Sequence, residues 1–128
     1  MENTSVVTKI RRVSLAKITS GAIESVPPIT KIAFGKGGVD SGGNVITPSE
    51  TQTSLNNQIG IYNIDSVTYP VQTTARYTVT IPENELVGES ISEIALVDSA
   101  GNLCVIKNTL PKGKDNGVKF TFEFDDEF

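Results

Sequence analysis

The sequence predicts a mainly β fold: an antiparallel, sandwich-like single domain with a short N-terminal helix and a long glycine-rich loop. Three observations carry this expectation. Ala75, Tyr77, Val79 and Ile81 alternate with Arg76, Thr78 and Thr80, which is the period of a half-buried strand. Two apolar runs, Ile91–Val97 and Asn102–Lys107, flank the turn-forming stretch DSAGN, where Gly101 can take a positive φ. A third alternation places Val118, Phe120, Phe122 and Phe124 on one face and Lys119, Thr121 and Glu123 on the other.

The composition agrees. A chain of 128 residues fits one domain. It should bury roughly 65–70% of the surface its unfolded form exposes. Only 38% of residues are hydrophobic and 20% charged, while Thr, Ser, Asn and Gly are plentiful. That profile suits strands joined by polar turns. The long β-branched and aromatic runs argue against disorder.

Along the chain, residues 1–9 read as a loose segment within an N-terminal arm, 1–26. Arg11–Glu24 is the best helix candidate, with Leu15, Ile18 and Ala22 at helical spacing and Ser14 as a possible cap. Gly21 weakens the helix, and Val26-Pro27-Pro28 stops it. The β-rich domain, 27–128, follows. Ile29–Phe34 reads as a strand ended by Gly35. Lys36–Pro48 is a long Gly-, Ser- and Asn-rich loop, a place where interfaces often form. Ser49 or Thr51 caps a short helical turn presenting Leu55. Gln58–Ile64 is a strand with Ile59 and Ile61 on one face, and Ala75–Ile81 ends at Pro82. The stretch KDNG precedes the last strand, whose phenylalanines make it central to the core. On that reading Phe122→Ala costs about 3–5 kcal/mol.

The chemistry is sparse. With no histidine there is no Ser-His or Cys-His pair and no imidazole base. Carboxylates could pair for glycoside hydrolysis as Glu83 with Glu85, Glu89 with Glu93, or among Asp125, Asp126 and Glu127. No aromatic groove accompanies them, and solvated acidic turns are the simpler expectation. One cysteine and no histidine give zinc no ligand set, and the acidic spacing does not fit an EF-hand. FGKGG, Phe34–Gly38, fails the spacing of a phosphate-binding loop, so its glycines are expected to serve a tight turn or close backbone packing. Cys104 lies in the apolar run LCVI and reads as a small buried hydrophobe. Catalytic, cofactor-binding and metal-binding residues are therefore expected to be absent, with no cofactor. A net charge of −4 disfavours nucleic acid as a partner. No stretch is apolar enough to span a membrane, and no secretory signal opens the chain.

One ordered set of segments is more specific. ITKIAFGKGG (Ile29–Gly38), Pro48, Thr53–Leu55, TVTIPENELVG and ISEIALVDSAGNLCVIKN (Ile91–Asn108) follow one another over most of the chain. This order resembles the N-terminal tail-collar fibre domain of phage tail fibre proteins. That family has a strand ending in a Gly-rich loop, a Thr-x-Leu step, an Ile-Pro-Glu strand end and a hairpin reading roughly Ile-x-Glu-Ile-Gly-Leu-Tyr-Asp. Here Ala95 and Val97 stand where the family usually has Gly and Tyr, and both suit a strand. The resemblance implies a structural, non-enzymatic subunit of a contractile phage or tailocin tail. Its partners would be baseplate, fibre or other tail proteins and further copies of itself, a trimer by analogy with fibres. It would assemble in the bacterial host cytoplasm. With no fibre shaft after the domain, a short collar, fibre-attachment or baseplate protein is expected. Residues 1–26 and Lys36–Ser54 are the expected contact regions. A carbohydrate-binding module, a tail assembly factor and a wall hydrolase stand as alternatives.

Overall fold

The computed structural model describes residues 3–128. Its elements are β1 (Asn3–Val7), α1 (Lys9–Thr19), β2 (Ile29–Gly35), β3 (Gln58–Asn63), β4 (Ser66–Val71), β5 (Thr74–Ile81), β6 (Ser90–Asp98), β7 (Leu103–Gly113) and β8 (Phe120–Glu127). They form two antiparallel sheets, one ordered β1-β7-β6-β2-β3 and the other β4-β5-β8. The molecule is a β-sandwich-like single domain with one short helix.

The main core lies between the sheets. Ile32 and Phe34 of β2, Ile94 and Leu96 of β6, and Val105 of β7 meet Val79 and Ile81 of β5 and Phe124 of β8. Phe34 is fully buried and packs against Phe122 at a centroid distance of 4.9 Å, in the tilted geometry aromatic rings prefer.

A second core lies on the outer face of the larger sheet. Ala33, Ala95, Val97, Leu103 and Ile106 point outward and are covered by Leu55. Leu55 belongs to the long connection from β2 to β3, residues 36–57, so this segment is a cover for the sheet. With both faces buried, β6 has eight consecutive buried residues, Ile91–Asp98. A bulge in the β6–β7 pairing places one extra residue, Cys104, between the partners of Leu96 and Val97. As a result Leu103 joins the outer core and Cys104 the inner one.

Several expectations need correction. Residues 3–7 are not loose: they pair with β7 in a five-residue antiparallel register from Asn3↔Thr109 to Val7↔Val105. Residues 1 and 2 lie outside the described residues. The helix starts at Lys9, two residues before the expected Arg11, and ends at Thr19. Thr8 caps it, extended and with its hydroxyl oxygen accepting the Arg11 N–H, while Ser14 lies inside the helix and donates to the Ile10 carbonyl. Ile59 and Ile61 do not share a face: a bulge after Phe34 turns Ile59 toward the main core and leaves Ile61 exposed. The turn at Ser49 is present as a bond from the Gln52 N–H to the Ser49 carbonyl, without a helix. β4 was not foreseen. β8 is an edge strand, with Phe120 and Phe122 only partly buried and Val118 exposed outside it.

Candidate interaction surfaces and the Glu93 clamp

The acidic residues weighed for catalysis fall into separate structural roles. Glu93 is fully buried at the outer face of β6, contrary to a solvated turn. Its Oε2 accepts the N–H groups of Gly37 and Asn57, each at 3.0 Å, and its Oε1 accepts that of Asn56 at 2.6 Å. One carboxylate thus ties both ends of the 36–57 cover to the sheet beneath. Bonds to an ionised acceptor are roughly twice as strong as neutral ones, which offsets the cost of burying the charge.

The glycines of FGKGG allow this approach. A Cβ on Gly35 would collide with the Glu93 carboxylate and lie 2.7 Å from the Asn57 carbonyl oxygen. A Cβ on Gly38 would collide with the Ser92 carbonyl, while the Gly38 N–H donates to Ser92 Oγ at 2.9 Å. The glycines therefore provide close backbone packing, and the N–H groups of Gly37 and Gly38 are engaged by the protein's own acceptors.

Asp126, unlike the exposed Asp125, also leaves the role of a solvated tail. Asp126 is buried and takes a bidentate bond from Arg11 of α1, with Nη1 to Oδ1 at 2.8 Å. Burial alone would lower the Arg11 pKa, but the ion pair with Asp126 outweighs it and raises it. The Arg11 guanidinium also lies 5.3 Å from the centre of the Phe128 ring. Asp125 is bonded by Arg76, which holds its carboxyl below the usual range. Glu85 accepts from the Tyr62 hydroxyl at 2.8 Å, and Glu89 pairs with Lys36 at 3.3 Å. Glu83 and Glu127 are exposed. Among the described residues, no three His, Cys, Asp or Glu side chains converge to hold a metal. Among the same residues, no helix is long and apolar enough to cross a membrane.

Cys104 is buried as expected. Burial first, and Asp98 second, push its thiol up to about 11, so it stays protonated at neutral pH. Asp98 itself shapes the hairpin: its Oδ1 accepts the N–H groups of Ala100 and Asn102, each at 2.9 Å, and Gly101 sits at φ 88°.

Of the two expected contact regions, Lys36–Ser54 is anchored inward at a few points and exposed over most of its length. Pro48 and Gly38 are buried, and the Ile46 carbonyl accepts from Asn108 Nδ2 at 2.8 Å. It offers outward the tip at Asp40–Asn44, a small hairpin closed by the Val39↔Val45 bridge and by Asp40, and also Ile46, Thr47 and Ser49–Thr51. The region 1–26 is docked through β1 and Arg11. Its outward features are Ile10 and Val13 of α1, both 43% exposed. A further apolar surface lies on β4, where Val67, Tyr69 and Val71 are exposed. Sequence reasoning missed β4 because Pro70 interrupts it. It missed Glu93 because burial of a charge leaves no mark in sequence periodicity.

Compared with protein-family models, curated proteins and solved structures, the chain matches none.

Proposed function

We propose that this chain is a structural subunit of a phage-type tail, a short collar, fibre-attachment or baseplate protein of a contractile phage or tailocin. It works through protein–protein contacts, without catalysis or cofactor. One observation supports the reading most. Most of the segments whose order resembles the tail-collar fibre domain form one physical unit: β2, β6 and β7 are adjacent, the Gly-rich cover lies over them and Leu55 fills the space between, while TVTIPENELVG begins in β5 and packs on them across the core through Val79 and Ile81. The Glu of the Ile-x-Glu-Ile stretch is Glu93, the clamp on that cover. The segments are thus joined by packing as well as by order. Baseplate and fibre proteins and further copies of the chain are the partners this reading implies, in a particle assembled in the host cytoplasm.

The test is mass spectrometry of tail particles isolated after induction. The protein should be present at a fixed, low ratio to sheath subunits. Its absence from intact particles, with free protein abundant in the lysate, would overturn the reading. A carbohydrate-binding role has one observation in its favour, the 70% exposure of Tyr69 on β4. Glycan-array binding that Tyr69→Ala abolishes would replace the tail reading with that one.

A further inference from the structure

The arm formed by β1, Thr8 and α1 is held to the rest of the molecule by a short set of bonds. β1 adds to the edge of β7. The Thr8 hydroxyl donates to the Leu103 carbonyl at 2.7 Å, the Lys9 N–H to the Glu50 carbonyl at 2.7 Å, and Arg11 grips Asp126. Each of these acceptors lies beyond residue 28. By contrast, α1 has no buried residue. A cavity of about 260 Å³ lies where α1 and Val26–Ile29 meet Tyr77, Cys104 and Phe128. The joining segment, residues 20–28, is largely exposed and ends in Pro27-Pro28. The Ala22 and Ile23 N–H groups bond only back to Lys17 of the helix.

We infer that residues 3–19 are an exchangeable arm, and that the β7 edge with Asp126 is a receptor for the same arm of a second copy. The bonds that dock the arm do not depend on which chain supplies it. Nine extended residues reach about 30 Å, enough to pass to an abutting neighbour. Exchange costs little because it reuses contacts already made. The balance is set by the effective concentration of a chain's own arm, in the millimolar range for short linkers, against that of its neighbours. Dilute protein keeps its arm, and copies held side by side trade theirs. The trade makes each copy both donor and acceptor, so it closes as a reciprocal pair or a small ring.

The inference rests on the reading of this chain as a self-associating subunit, and the test separates the two. Ser5 and Lys107 face each other in the β1–β7 register. With Cys104 replaced by Ala, Ser5→Cys chains and Lys107→Cys chains are unfolded together, refolded at high concentration and oxidised. Exchange predicts an interchain disulfide at least tenfold above that of a Ser5→Cys and Lys119→Cys mixture. No excess, with the Ser5→Cys/Lys107→Cys double variant closing within one chain, overturns exchange. As a second measurement, deletion of residues 22–25 in the otherwise native chain should convert monomer to dimer or ring by light scattering. A folded monomer after that deletion, together with no disulfide excess, overturns exchange. Trapped exchange in a protein absent from tail particles would defeat the tail reading alone.

Discussion

At the scale of single residues, the chemistry of this chain is used for holding. Glu93 spends both carboxylate oxygens on three backbone N–H groups. Glu93→Gln keeps the shape but turns an amide NH₂ toward at least one of those donors. It should cost about 2–3 kcal/mol in urea unfolding, the value of hydrogen bonds to a charged group. The amides of Gly37, Asn56 and Asn57 should lose hydrogen-exchange protection ahead of the rest of the sheet. Unchanged protection there would show that Leu55 and the remaining hydrogen bonds hold the cover without the Glu93 charge. Lys114 teaches the same lesson. It is 1% exposed, although KDNG reads as an open turn, and its ammonium donates to the Glu83 carbonyl at 3.2 Å. Neither burial is legible in sequence, because it depends on which loop folds back over the charge.

At the scale of elements, alternation was a good guide and sheet order was out of reach. The parity of Tyr77, Val79 and Ile81, the β6–β7 hairpin and the positive φ at Gly101 all follow from local pattern. Strand neighbours do not, since β5 pairs with β4 and β8 across very different sequence distances. That is why the Phe strip looked central. Phe34, fully buried in β2, now takes the place given to Phe122. Phe34→Ala should cost about 3–5 kcal/mol. Phe122→Ala, at a partly exposed site on an edge strand, should cost about 1–3 kcal/mol. Equal costs from denaturant midpoints would contradict the edge position of β8. The N-terminal strand was illegible for a related reason: NTSVV is short, and the β7 edge that templates it is a hundred residues away.

At the scale of the whole molecule, pH dependence sums several groups. Cys104 is pushed up to about 11 from 9.0, Tyr62 up to about 12 from 10.0, and Tyr77 is raised, with burial the first cause in each case. Between about pH 9 and 12 the unfolded chain therefore loses protons that the folded one keeps. Stability should be full below pH 9 and fall as the pH rises through that window. Asp125, held low by Arg76, and Asp40, held low by the Asn44 and Gly42 amides, give a smaller loss as the pH falls below the usual carboxyl range. Urea midpoints at pH 7, 9 and 11 test the alkaline limb, and Cys104→Ala should flatten its first part. A flat profile to pH 11 would mean that these groups are open to water. The clamped cover has a consequence of another kind. Its two ends are fixed by Glu93 and its tip at Asp40–Asn44 is sealed off by the Val39↔Val45 bridge, so evolution can lengthen or rewrite the tip without disturbing the frame. Related chains of this architecture can then differ most in outline at the one place where the scaffold asks least of them.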